Sequence, residues 1–327
     1  MSGAVSETKR GWRLTGLEAL LGLTAVVVIG QRWLVDSFTS PALQTGATIF
    51  VSIFVQALPF LVLGVLLSAA IAAFVPPTVL ARALPRNHAA AVPVAGACGI
   101  LLPGCECASV PVAGSLMARG VAPAAALTFL LSAPAINPIV LVSTFVAFPG
   151  QPQMVLARLI ASFATAVIMG WLWLRFGRPD WLRMPSRTHL QGRTSWHTFR
   201  LTATHDFVHA GGFLVIGALA AAVFNVAMPP QWIDAMSANP LLAILAMATL
   251  AVLLSICSEA DAFVASSFTS FSLTARLAFL VVGPMVDLKL ISMQTGVFGR
   301  AFAVRFAPTT FVVAVVLSIL VGGWLLT

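Results

Sequence analysis

The densest chemistry in the sequence lies in the segment PGCECASVP at 103–111. Its Pro-Gly pair breaks regular structure, so Cys105 to Cys107 are predicted to lie at a turn before a short helix. Free backbone N–H groups and the positive end of a helix dipole favour a thiolate at such a turn. In extended backbone the two cysteines point to one side, where two sulfurs can hold one soft ion. The alternative is cysteines that only pack helices together, since free cysteine is commonly buried.

A second motif, CSEAD, occupies 257–261 in the middle of another apolar stretch. Burying two carboxylates at membrane depth costs considerable free energy, so an ionisable group there is a functional candidate by default. Glu259 and Asp261 are therefore predicted to take up protons, beside a third cysteine, Cys257. The alternative is that Ser258 or Asp261 caps a following half-helix, which explains one carboxylate but not both.

Two further motifs break apolar stretches at a proline: SAPAINP at 132–138 and GPMVDLK at 283–289. A proline frees backbone carbonyls that can line a cavity. Asn137 and Asp287 are then candidate polar contacts, and a kink made only for packing is the alternative for Asn137. Lys289 follows Asp287 closely, and it is expected to snorkel to the inner membrane interface.

The composition excludes a soluble protein. Of the 327 residues, 59% are hydrophobic and only 9% are charged, whereas a soluble domain has about 25% charged residues. A polytopic integral membrane protein is the class that remains. The net charge of +8 comes mainly from arginines between apolar segments, which indicates cytoplasmic loops rather than a surface for nucleic acid. The sequence has no G-x-x-x-x-G-K-[ST] motif and hence no P-loop ATPase of its own.

The apolar stretches are long enough for a bilayer, which needs about 20 residues for each crossing. The first stretch is predicted to be an uncleaved transmembrane helix with its N-terminus inside, because basic residues precede it and no small-residue cleavage site follows it. Two stretches, 89–118 and 240–272, contain glutamate and other polar residues and do not resemble lipid-facing helices. The predicted spans are 14–35, 46–75, 89–118, 121–148, 153–176, 206–228, 240–272, 275–298 and 303–326.

Arginines predict the orientation of these spans. The loop 177–205 holds five arginines and one aspartate, so it is expected to be cytoplasmic. That placement agrees with the order of spans only if 89–118 enters the membrane and returns. The segment is then either a re-entrant hairpin or two short crossings. Non-helical backbone at this depth is tolerated where protein or a cavity covers it.

The two halves of the chain resemble each other. Residues 59–77 align without gaps on 212–230, and further along the chain Cys107 aligns with Cys257 and Asn137 aligns with Asp287. The loop charges orient the halves oppositely, which predicts an all-α membrane protein with inverted repeats, broken or re-entrant helices and one leading helix. The expected units are an N-terminal transmembrane helix, repeat one, a basic cytoplasmic linker and repeat two, at 1–45, 46–176, 177–205 and 206–327.

Three motifs in order, GCECASVPVAGSLMARG, LSAPAINPI and CSEADAF, resemble the predicted-permease family that includes YraQ and the organoarsenical efflux permease ArsP. The resemblance covers most of the chain from about residue 50 to 326. It implies a polytopic permease of the inner membrane and, in the ArsP branch, export of trivalent organoarsenicals.

A secondary transporter, not an enzyme, is the function that we expect, because inverted repeats with broken elements are typical of such transporters. Its cargo would be a soft, thiol-seeking substrate, such as a trivalent organoarsenical or a metal or metalloid, exported in exchange for protons. One alternative is transport of a small anion or sulfur compound held at half-helix N-termini, with cysteines that are not ligands. The other is an intramembrane enzyme that exchanges thiols and disulfides at Cys105 and Cys107.

The predicted site has two sets of residues. No resident metal, cofactor or nucleic acid is expected, and the partners are a small-molecule or ion substrate and the lipid bilayer of the inner membrane, with a homo-oligomer left open. The substrate-binding set is Cys105, Cys107, Cys257, Asn137 and Ser109, and the proton-coupling set is Glu106, Glu259, Asp261 and Asp287.

Overall fold

The computed structural model describes residues 41–74, 85, 87–101, 106–183, 195–227 and 239–326. Within these ranges the secondary structure is helical and contains no strand. Five of the helical stretches are long and apolar enough to cross a bilayer. The predicted all-α membrane fold is therefore confirmed. The first predicted span, 14–35, lies outside the described residues.

Repeat one is built from one long helix, two broken helices and a second long helix. The broken elements correspond to the predicted spans 89–118 and 121–148. The first contains a short 3₁₀ turn, Gly99–Leu101, before its second half. The helices are α1 (Pro41–Phe74), α2 (His88–Cys98), α3 (Glu106–Ala118), α4 (Pro123–Ile136), α5 (Pro138–Ala147) and α6 (Pro152–Phe176).

Repeat two has the same order of elements. Its first helix begins inside the segment that the sequence analysis assigned to the basic linker. A 3₁₀ turn at Pro179–Trp181 precedes it. The helices are α7 (Ser195–Ala227), α8 (Pro240–Leu254), α9 (Asp261–Ser267), α10 (Leu273–Val282), α11 (Leu288–Phe298) and α12 (Arg300–Leu325).

Polar residues cap the half-helices where the broken elements resume. Asn137 accepts a hydrogen bond from the backbone N–H of Val140 at the start of α5. Asp287, its partner in the repeat alignment, accepts one from Leu290 at the start of α11. These caps satisfy N–H groups that a helix start leaves without partners, and lipid cannot supply an acceptor. The breaks therefore lie inside the protein.

Packing follows the repeat. Helix α1 packs on α7, and α6 packs on α12, so each pair joins equivalent elements of the two halves. Helix α3 also contacts α11, while α9 contacts α5. In the order of elements, α3 corresponds to α9 and α11 corresponds to α5, so the α3–α11 junction of one arrangement corresponds to the α9–α5 junction of the other. The half-helices α3, α4 and α10 are almost entirely buried, whereas α1, α7 and α12 expose large apolar side chains suited to lipid.

Two glycines at matched positions allow the long helices to approach the half-helices closely. In α1, a Cβ at Gly64 would overlap the backbone of Ala108 in α3. In α7, a Cβ at Gly217 would overlap the backbone of Lys289 in α11. Both glycines belong to the gapless alignment of 59–77 with 212–230. Because the overlapping atoms belong to the backbone, a Cβ at either glycine could be accommodated only if the half-helix moved.

We predict that Gly217→Ala and Gly64→Ala each lower the melting temperature of the purified protein in detergent. Overpacking typically costs about 1–3 kcal/mol, which exceeds the gain of about 1 kcal/mol in helix propensity. Gly212→Ala is the matched control. Gly212 lies in the same helix as Gly217, but a Cβ at Gly212 would have no neighbouring side chain or helix within 4 Å. Equal melting temperatures for Gly217→Ala and Gly212→Ala would contradict the close approach.

Candidate functional site

A buried lysine joins the two repeats. Lys289 lies in the first turn of α11 and has 0% of its surface exposed. Its Nζ donates to Oε1 of Glu106 at 2.8 Å and lies 3.5 Å from Oδ2 of Asp287. Glu106 is the first residue of α3 and is also fully buried. The expectation that Lys289 snorkels to the membrane interface was therefore wrong, because two carboxylates hold its ammonium inside the protein.

The same ammonium lies beside cysteine sulfur. Nζ of Lys289 is 3.8 Å from Sγ of Cys257, and Cys107 follows Glu106, which also binds the ammonium, in α3. Both cysteines are buried, with 1% and 0% of their surfaces exposed. The structure thus brings together Glu106, Cys107, Cys257 and Asp287, which the sequence placed in separate motifs. The thiolate is the form of cysteine that reacts and binds soft ions.

A second buried ion pair lies nearby in the other junction. Nη1 and Nη2 of Arg158 donate to the two carboxylate oxygens of Asp261 at 2.9 Å and 2.7 Å. Nη1 also donates to Oγ1 of Thr144 in α5 at 2.8 Å. Arg158 belongs to α6, and its side chain is 0% exposed. This two-pronged geometry is the strongest form of a carboxylate pair, and burial makes its loss costly.

Arg158 was not among the functional residues predicted from the sequence. The signal was available, because an arginine inside a predicted span is expensive unless it has a partner. Arginines were used there only to orient loops, and Arg158 falls within the span 153–176. Its partner, Asp261, is distant along the chain, so no local spacing connects the two residues.

The non-helical stretch between α8 and α9 contacts both ion pairs. Cys257 lies beside Lys289, and the backbone carbonyl of Ser258 accepts from Nη2 of Arg158 at 3.4 Å. Glu259 follows Ser258 and precedes α9. Its two carboxylate oxygens are buried and have no hydrogen-bond partner among the described residues. Ser255 begins the stretch with a left-handed backbone, φ 51°. One short segment therefore carries a thiol, an unpaired carboxyl group and contacts to both cations.

The remaining predicted residues are placed as follows. Ser109 is buried and donates to the backbone carbonyl of Glu106 at 2.9 Å within its own helix. Asn137 is buried and, besides its cap, donates to the carbonyl of Ala133 at 3.2 Å. Cys105 lies outside the described residues, so its predicted pairing with Cys107 stays a prediction. Within the described ranges, no three His, Cys, Asp or Glu side chains are grouped closely enough to hold a metal ion.

Charge in this interior is unbalanced. Four carboxyl groups and two cationic side chains lie in the two clusters and the segment between them. One oxygen each of Glu106 and Asp287 also has no hydrogen-bond partner among the described residues. Unpaired charge is expensive in a low-dielectric interior, so additional positive charge stabilises the site. A proton or a cationic substrate can supply that charge. The carboxyl groups are Glu106, Glu259, Asp261 and Asp287, and the cations are Arg158 and Lys289.

Comparison with known proteins points to transport. A sequence profile described as "Predicted permease", of the ArsP type, matches residues 42–323. The UPF0718 protein YcgR of Bacillus subtilis (strain 168) is 38% identical over 290 residues, which cover 84% of this chain and 96% of that protein. A protein of Streptococcus mutans (strain UA159), whose name describes a subunit of a two-component membrane permease complex, is 33% identical over 283 residues. The alignment covers 84% of this chain and 94% of that relative. No solved structure matches the chain.

We predict that Arg158→Met alone destabilises the protein by about 3–5 kcal/mol, because it leaves the Asp261 carboxyl group buried without its partner. The double variant Arg158→Met/Asp261→Leu should recover most of that loss, since no uncompensated charge remains. Thermal unfolding in one detergent measures both. Arg175→Met, at an exposed position of the same helix, is the control and should melt like the unmodified protein. A double variant no more stable than Arg158→Met would contradict the ion pair.

Proposed function

Because the chain belongs to the predicted permease family, we propose that it is a secondary transporter that exports a soft, thiol-seeking substrate in exchange for protons. The family and the membrane-capable helices make it a multi-pass membrane permease. We further propose that it resides in the cytoplasmic membrane with its N-terminus inside, as the loop arginines predict.

One observation carries the proposal: Lys289 lies where the broken elements of the two repeats meet, in contact with Glu106 of repeat one and Cys257 of repeat two. Transporters with inverted repeats bind their substrates at such a meeting point, near the middle of the membrane. The cysteines provide affinity for soft ions, and the carboxyl groups provide exchangeable protons. Both functions are present in one buried cluster.

The thiols define the substrate class. Thiolate sulfur binds soft cations and trivalent arsenic species in preference to hard ions. Cys257 lies beside the Lys289 ammonium, Cys107 follows Glu106 in α3, and Cys105 is two residues from Cys107 in the chain. Thiols release protons when they bind such a substrate. Substrate binding and proton release are therefore linked chemically at this site.

The carboxyl groups provide the return path for protons. Glu259 has neither an ion pair nor a hydrogen-bond partner for its oxygens within the described ranges, so it is the group that we assign first to proton uptake. Glu106 is second, because a proton there would release Lys289. Asp261 and Asp287 hold Arg158 and the start of α11, and would act later in the cycle.

Lys289 also supports a second candidate, transport of a small anion or sulfur compound. An ammonium in a buried site attracts anions, and the N-termini of α3 and α11 adjoin it. The excess of carboxyl groups opposes an anion unless protons accompany it. Competition by thiosulfate or phosphate in the binding assay below separates the two candidates.

Binding of phenylarsenous acid and of a panel of soft metal ions to the purified protein tests the substrate class. We expect the triple variant Cys105→Ser/Cys107→Ser/Cys257→Ser to lose binding by a factor of about 100 or more, because soft-metal affinity depends on thiolate sulfur. Cys98→Ser is the matched control, since Cys98 is exposed. Undiminished binding by the triple variant would remove the cysteines from the ligand set.

Transport in proteoliposomes tests the coupling. Glu259→Gln should abolish stimulation of transport by a pH gradient while substrate binding persists, because the amide has the size of the carboxyl group but takes up no proton. Substrate efflux is measured with and without an imposed gradient. Asp180→Asn is the control, since Asp180 is exposed beyond α6. Normal stimulation in Glu259→Gln would exclude Glu259 as the coupling group.

A further inference from the structure

The two buried ion pairs are reciprocal. In each pair the carboxylate is the first residue of the second half of a broken helix: Glu106 begins α3, and Asp261 begins α9. In each pair the cation comes from the other repeat, Lys289 for Glu106 and Arg158 for Asp261. Each pair therefore ties a half-helix of one repeat to the body of the other.

The pairs lie at corresponding junctions of the fold, although their cations come from non-equivalent helices, Lys289 from α11 and Arg158 from α6. Lys289 and Glu106 close the junction of α3 with α11. Arg158 and Asp261 close the junction of α9 with α5, where Arg158 also bonds to Thr144. Exchanging the repeats exchanges α3 with α9 and α5 with α11. An axis that relates inverted repeats lies in the membrane plane, so it places exchanged junctions on opposite sides of the site.

Both ion pairs are formed in this structure, and the two site thiols that the structure describes are buried. Cys107 and Cys257 have 0% and 1% of their surfaces exposed. The segment that precedes α9 touches the Lys289 pair through Cys257 and the Arg158 pair through Ser258. A charge change at Glu259, in the same segment, can therefore favour one pair over the other. The arrangement corresponds to an occluded state.

We propose that the two ion pairs are the two gates of the transport cycle, Glu106–Lys289 on one side of the membrane and Asp261–Arg158 on the other. The proposal rests on the proposed transport function and assigns roles to Arg158 and Lys289 within it. Breaking one pair frees one half-helix and opens the site to one side only. Buried ion pairs suit this role, because desolvation offsets most of their attraction and leaves them easily exchanged for hydration.

Side-specific labelling of Cys257 tests the gates. The other three cysteines are replaced by serine, and a small, charged, membrane-impermeant methanethiosulfonate is applied to right-side-out and to inside-out vesicles. The variants remove whole pairs, Glu106→Gln/Lys289→Met and Arg158→Met/Asp261→Leu. Asp287→Asn is present in every protein compared, because Asp287 also contacts Lys289 and would otherwise be left buried without a cation. The ratio of labelling rates from the two sides is measured, because it cancels any change in the reactivity of the thiol itself.

We expect each double variant to change this ratio by about tenfold, which corresponds to about 1.4 kcal/mol, and the two variants to change it in opposite directions. Thr144→Val, which keeps both charges and removes one acceptor of Arg158, should shift the ratio in the same direction as Arg158→Met/Asp261→Leu. Asp180→Asn is the control, because Asp180 is exposed beyond α6.

Shifts in the same direction, or an unchanged ratio in both double variants, would overturn the proposal. The assay needs no substrate, so it separates the gates from the substrate class. If the labelling ratios shift in opposite directions but no arsenical binds, the gates are supported and the thiol-seeking substrate is rejected. If an arsenical binds but the labelling ratios are unchanged, the substrate class is supported and the gates are rejected.

Discussion

Charge cannot remain in the interior of a membrane protein without a partner, and this permease is organised around that constraint. Two cations, Lys289 and Arg158, lie fully buried, and each is held by a carboxylate from the opposite repeat. Lys289 also contacts Asp287 of its own repeat, but the shortest ion pair of each cation is with the other repeat. The repeats are therefore joined at their most polar points, and the half-helices that begin at Glu106 and Asp261 are fixed by the same contacts.

Broken helices are the second requirement of this arrangement. A continuous helix would carry the carboxylates past the meeting point, whereas a break places them at helix starts. The starts of α5 and α11 expose N–H groups that lipid cannot satisfy, and there Asn137 and Asp287 supply the acceptors. Gly64 and Gly217 then let the long helices approach the half-helices to backbone contact. The breaks position the carboxylates, the caps satisfy backbone N–H groups, and the glycines allow close packing, so all three features help to bury polar groups.

Chemistry and movement share this centre. The segment between α8 and α9 carries a thiol and an unpaired carboxyl group, and it contacts both ion pairs. A ligand or proton that binds there changes the charge seen by both pairs at once. In a packed interior such a change selects between discrete arrangements, since close-packed elements do not deform continuously. In the proposed cycle, such a change at the cluster therefore acts on both gates.

The sequence by itself determined the helical membrane class, and it predicted the positions of the breaks, the internal repeat and most residues of the candidate site. Hydropathy, breaker residues and charges at membrane depth are local signals, so Glu106, Cys257, Glu259 and Asp287 were found from spacing alone. Only the tertiary structure decided which charges meet. Glu106 and Lys289 are 183 residues apart, and Arg158 and Asp261 are 103 apart. Lys289 was expected at the interface, and Arg158 passed unnoticed, because the partner that stabilises a buried charge comes from helix packing across the repeats and not from neighbours in the chain.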